Sequence, residues 1–117
     1  MFNFRNLLLD QKIIVSSESL KKDIDVHGVG VIVDVRTQEE YLQDHLSDSI
    51  SLPLHELTFK ISSLVPLKTT RIYCYCDTGN RSYEATKILR KMGYQLAYSV
   101  GGGIIAWKKK GFPVVKS

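Results

Sequence analysis

Residues 29–35 read Val-Gly-Val-Ile-Val-Asp-Val, a nearly continuous apolar run. A strand with one wet face alternates apolar and polar residues; this one does not, which marks a strand buried on both faces. Such a strand needs strand neighbours at its edges and helices above and below. The rest of the chain offers both. Further β-type runs fall at residues 12–15, 49–52, 70–76 and 96–100. Helical patterns lie between them, at about 16–24, from Thr37 across Tyr41 and Leu42, and at 55–64, 81–92 and 104–110. Strands alternating with helices predict an α/β fold with a mainly parallel central sheet and helices on both faces.

Local signals support the division. Ser16 or Ser17 can cap the first helix, with Glu18 in its first turn. Thr37-Gln38-Glu39-Glu40 matches a capping box. Pro53 and Pro66 bracket the third helix, Gly93 closes the fourth and Gly111 the last. The length of 117 residues, 44% of them hydrophobic, predicts a single domain over 1–117. Within it residues 1–11 form an N-terminal extension. Its apolar patch at Phe2 to Leu9 is short, unlike a signal peptide, and no run is long enough to span a membrane. The expected location is the cytoplasm.

Chemistry concentrates at Cys76. It ends the run Arg71-Ile72-Tyr73-Cys74-Tyr75 and opens the loop Asp77-Thr78-Gly79-Asn80, after which Arg81 and Ser82 begin a helix. In parallel sheets ligands bind beyond the carboxyl ends of the strands, where Cys76 lies. Backbone N–H groups and the helix dipole converge there, so a reachable thiol that ionises readily is expected. Gly79 allows a positive φ that turns several N–H groups towards the sulfur. Arg81 is expected to bind an anion with its planar fork of donors, and Asp77 to face solvent. Thr78, Asn80 and Ser82 either donate to a ligand or shape the loop.

Cys74, two residues earlier, points the same way about 6.5 Å along the strand, which disfavours a disulfide. It reads as core. His27, His45 and His55 lack metal-ligand spacing, and His45 is expected to close a helix end against backbone. Charge is uneven. Residues 1–68 carry seven Lys/Arg and ten Asp/Glu; residues 69–117 carry nine and two. The basic half holds Cys76 and suits small anions. The lone cluster Lys108-Lys109-Lys110 has no interleaved aromatics, which argues against nucleic acid.

Three segments together resemble the rhodanese (sulfurtransferase) family. The first runs from Val33-Asp34-Val35-Arg36 through Glu40-Tyr41 and Asp44-His45-Leu46 to Ile50-Ser51-Leu52-Pro53. The second is the loop from Cys76 to Ser82, and the third is Gly102-Gly103-Ile104-Ile105-Ala106-Trp107 with Gly111-Phe112-Pro113. The likeness covers about residues 12–115. Two departures stand out: Asp44 where the family often has Gly, and Asp48-Ser49 for a common Gly-Ala.

The resemblance implies a Cys76 persulfide, formed from an anionic donor such as thiosulfate and passed to a thiol or other thiophilic acceptor. Residues 77–82 would be the substrate-binding loop and Asp34 and Arg36 structural braces, with Trp107 in the core, at most walling the pocket. No metal or cofactor is implied; a sulfur-relay protein is a conceivable partner. The alternatives are a non-catalytic module on the same fold and a cysteine-dependent phosphatase or arsenate reductase. Four residues separate Cys76 from Arg81, where such phosphatases resemble a spacing of five, so the tighter ring disfavours a phosphoryl group.

Overall fold

The computed structural model describes residues 13–28 and 30–116. Lys12, Val29 and the N-terminal extension, with its apolar patch, lie outside the described residues. Strands β1 (Ile14–Val15), β2 (Val31–Asp34), β4 (Ser49–Ser51), β5 (Ile72–Tyr75) and β6 (Ala97–Val100) form a sheet in the order β1-β6-β5-β2-β4, and each neighbouring pair is parallel. Parallel neighbours need crossover connections. Helices α1 (Ser17–His27), α2 (Gln38–Gln43), α3 (Leu57–Leu64) and α4 (Asn80–Lys91) provide them, and α5 (Gly103–Lys109) follows β6.

The two faces of the sheet carry separate cores. Side chains alternate along β5, so Ile72, Cys74 and Cys76 face one way and Tyr73 and Tyr75 the other. The first set joins Leu57 and Ile61 of α3 and Ala85 and Leu89 of α4. The second joins Leu20 of α1 and Ile104 and Trp107 of α5. All four β5 side chains are buried, as expected of a strand covered on both sides.

The structure also shows elements that sequence periodicity does not. The helix expected over 55–64 divides into a 3-10 turn at Leu54–Glu56, following Pro53, and α3. A separate antiparallel pair, β3 (Asp44–His45) with β7 (Val115–Lys116), draws the C-terminal end back over the segment after α2. Asp48, where relatives of the resembled family often have Gly, takes a left-handed φ of 64°, a conformation Asp tolerates better than most residues.

One buried ion pair fixes the carboxyl end of β2. The Arg36 guanidinium donates from Nη2 to Asp34 Oδ2 at 2.8 Å and from Nε to Oδ1 at 3.1 Å; its backbone N–H also reaches Oδ1 at 2.9 Å. Nη2 further donates to the Asp44 carbonyl at 2.6 Å, holding β3 in place. Asp34 is fully buried. A carboxylate there without its cation is costly, since removing one partner of a buried pair strands the other. Arg36→Ala is therefore expected to lower unfolding free energy by about 3–5 kcal/mol in urea titrations. Lys108→Ala, which removes the exposed 2.8 Å contact to Asp44, is expected to cost less than about 1 kcal/mol.

Candidate active site

The loop between β5 and α4 is built around one sulfur atom. Cys76 Sγ accepts the backbone N–H of Gly79 at 3.1 Å and that of Ser82 at 3.4 Å. Gly79 stands at φ +114° as the residue before α4, a value L side chains rarely adopt. The turn it makes brings its own N–H and the first N–H groups of α4 round to the strand's end. Those helix N–H groups have no partner within the helix, and the sulfur takes one of them.

The loop is held from behind by α5. Ile104 N–H donates to the Cys76 carbonyl at 2.8 Å and Ile105 N–H to the Asp77 carbonyl at 3.2 Å. In a trans peptide N–H opposes C=O, so the amides of Asp77 and Thr78 turn away from α5. The approach is close enough that a Cβ on Gly103 would lie 2.3 Å from the Cys76 oxygen and 2.4 Å from the Asp77 oxygen. Gly103 is thus part of the site. Sequence reasoning reads it only as one of a Gly-Gly pair.

Beside the sulfur lies a buried hydroxyl pair. Ser82 Oγ is 3.6 Å from Cys76 Sγ, 3.1 Å from the Gly79 carbonyl and 2.8 Å from Ser99 Oγ. A hydroxyl has one proton to give. The Gly79 carbonyl can only accept, so Ser82 donates there and receives from Ser99 and from the Cys76 thiol. When the thiol loses its proton, the Ser82 hydrogen can turn to the sulfur only by giving up the Gly79 carbonyl, with Ser99 still donating behind it. Ser99 belongs to β6, in register with Cys74; no spacing in the sequence points to it.

The thiol is deeper than the sequence suggests. Cys76 is only 1% exposed, which corrects the expectation of a reachable sulfur at a strand tip. Its side chain faces the α3/α4 core, and the loop folds over it. The cover is thin: Thr78 and Asn80 are exposed, and the Asp77 side chain is 41% exposed. An open hollow of about 570 Å³ borders this cover, lined by Thr78, Gly79, Asn80, Tyr83, Ser99 and Gly102 among others. Gly79 both lines the hollow and donates to the sulfur. A second hollow, of about 370 Å³, lies on the α1/α5 face. Trp107 lines that one, stacks edge-on to Phe112 and donates to the Pro113 carbonyl at 2.8 Å; it does not line the hollow beside the thiol.

Charged groups gather on the loop's other flank. Arg81, in the first turn of α4, turns its fork onto Glu40 of α2, with Nη1 to Oε1 at 2.7 Å and Nη2 to Oε2 at 3.1 Å. Glu40 also completes the capping box with Thr37. Its bond to Arg81 holds the Glu40 carboxyl down at about 2. Asp77 does not simply face water: it lies 3.4 Å from Arg36 and 3.6 Å from Arg81. Burial pushes the Cys74 thiol up to about 12, an inert core sulfur. His45 Nδ1 pairs with the Tyr41 carbonyl at 2.9 Å, and the two rings stack. Among the described residues no group of three or more His, Cys, Asp or Glu could hold a metal ion, and no helix is long and apolar enough to cross a membrane.

Comparison with known proteins agrees with this geometry. The family model "Rhodanese-like domain" matches residues 16–110. A sulfurtransferase from Allochromatium vinosum is 36% identical over 102 residues, spanning 86% of this chain and 92% of that protein. The thiosulfate sulfurtransferase PspE of Escherichia coli is 39% identical over 70 residues, 60% of this chain and 67% of its own. Among solved structures, a rhodanese-related protein from Thermoplasma volcanium superposes with a TM-score of 0.76 at 30% identity, covering 86% of this chain and 95% of that one. The chain belongs to the rhodanese-like family of sulfurtransferases.

The hydroxyl pair makes a direct prediction. Ser99→Ala removes the proton donated to Ser82, so alkylation of Cys76 by iodoacetamide at neutral pH is expected to slow roughly two- to tenfold, the net worth of one hydrogen bond. An unchanged rate would show that Ser99 only packs.

Proposed function

We propose that Cys76 carries a sulfane sulfur between a donor and a thiophilic acceptor. With thiosulfate as donor, the Cys76 thiolate attacks the outer sulfur and the S–S bond to the sulfonate group breaks. Sulfite leaves with that bond's electron pair, and Cys76 holds a persulfide anion. Attack on the outer persulfide sulfur by cyanide, or by a thiolate of a small molecule or relay protein, forms thiocyanate or a new persulfide and returns the Cys76 thiolate. Both displacements are two-electron steps that balance without a metal or redox cofactor. They predict ping-pong kinetics.

The observation that carries this reading is the pair of backbone N–H groups on Cys76 Sγ, at 3.1 and 3.4 Å. Donors fixed before reaction stabilise negative charge on sulfur without reorganising. The burial of Cys76 adds a requirement. Donor must reach the sulfur through the loop 77–80, and the hollow beside Gly79 supplies the approach. That same burial is what favours the second reading, a rhodanese-like module whose cysteine does no chemistry.

Thiosulfate:cyanide assays separate the two. Cys76→Ser is expected to abolish turnover. Cys74→Ser is expected to keep turnover while losing about 1–3 kcal/mol of stability, because it buries a hydroxyl in the core. Equal loss of activity in both variants would refute the assignment, and inactive wild-type protein would favour the module.

A further inference from the structure

The chain as a whole carries a net charge of +4, yet the flank of the thiol loop does not share it. Starting at Arg81, the ion pairs run to Glu40 and Asp77, from Asp77 to Arg36, from Arg36 to Asp34 and Asp44, and from Asp44 to Lys108. Four carboxylates meet three cations, so the linked network is negative by one charge. A donor such as thiosulfate brings two further negative charges. Arg81, the cation of the loop expected to receive them, already has both Nη groups on Glu40, in a geometry that is among the strongest a carboxylate and a guanidinium can make.

We propose that Glu40 sets donor specificity at this site: its carboxylate competes with small dianions for Arg81, so the site favours sulfane-sulfur donors of low charge, such as an organic polysulfide or persulfide. The inference rests on the sulfur-transfer reading above. Glu40 is a positioning residue, acting through Arg81 rather than on the sulfur. The pair is partly exposed, at 37% for the Arg81 side chain and 27% for that of Glu40, so an incoming anion can displace it. Because the two residues are 41 positions apart, the competition couples α2 to the loop.

Glu40→Gln is the decisive variant. It keeps a side-chain oxygen for the Thr37 N–H, so the capping box survives, while it removes the charge and puts an NH2 group where Oε2 accepted from Arg81 Nη2. For thiosulfate, kcat/KM is expected to rise roughly three- to tenfold, the worth of a good, partly exposed ion pair. For an uncharged dialkyl trisulfide it is expected to stay within about twofold, since no charge competes for Arg81. Sulfate, an unreactive dianion, is expected to protect Cys76 from iodoacetamide at a roughly three- to tenfold lower concentration in the variant than in the wild type. In an Arg81→Gln background the substitution should change none of these.

An unchanged or lower kcat/KM for thiosulfate, or an equal rise for both donors, would overturn the proposal. So would unaltered sulfate protection. If the wild type takes sulfur from neither donor, the sulfur-transfer reading fails, and the protection arm alone decides whether Glu40 competes for Arg81.

Discussion

The site depends on the two N–H groups at the start of α5 that donate to the carbonyls of Cys76 and Asp77. They satisfy two groups on each side at once: helix N–H groups that lack intrahelical partners and two loop carbonyls. Clearance for this contact comes from Gly103, where any Cβ would meet the loop oxygens at 2.3–2.4 Å. With the Cys76 and Asp77 carbonyls tied back, the loop is anchored from behind, while the Gly79 turn and the start of α4 bring two N–H groups to Sγ. A short helix docked from behind thus anchors the loop whose Gly79 and Ser82 amides meet the strand-end cysteine.

The sulfur's two flanks differ in kind. On the side of β6 the partners are neutral: backbone N–H groups, the Ser82 and Ser99 hydroxyls, and the hollow beside Gly79. On the side of α2 the partners are ions, closed on one another from Arg81 to Lys108. Neutral dipoles close to the sulfur can stabilise its charge with little reorganisation. The ionic flank braces β2, β3 and the loop, and it determines how welcome a charged donor is. Position along β5, not the face, divides the two thiols: Cys74 shares the face of Cys76 but lies two residues before the strand's end, among apolar side chains.

Much of this was legible in the sequence where the cause is local. The apolar run at β2, the capping box at Thr37 and Glu40, and the alternation of strands with helices depend on neighbours within a few residues. Cys76 with its loop is a local pattern too. What escaped depends on partners far along the chain. Glu40 reads as a capping residue and Arg81 as a free cation until folding brings them within 2.7 Å. Ser99 is an unremarkable strand serine until β6 lies beside β5. The depth of Cys76 follows from the loop's closure by α5 and Ser82, and the β3–β7 pair from the return of the C-terminal end. Spacing along a strand shows which face a side chain takes, not what a distant segment later lays over it.

The most direct test is to expose wild-type protein to excess thiosulfate, remove the donor, and weigh the intact chain and its fragments. The account predicts a gain of one sulfur atom, localised by fragmentation to Cys76 rather than Cys74 and removed by cyanide. An unchanged mass, a sulfur on Cys74, or a loss of two hydrogens from a Cys74–Cys76 disulfide would contradict it.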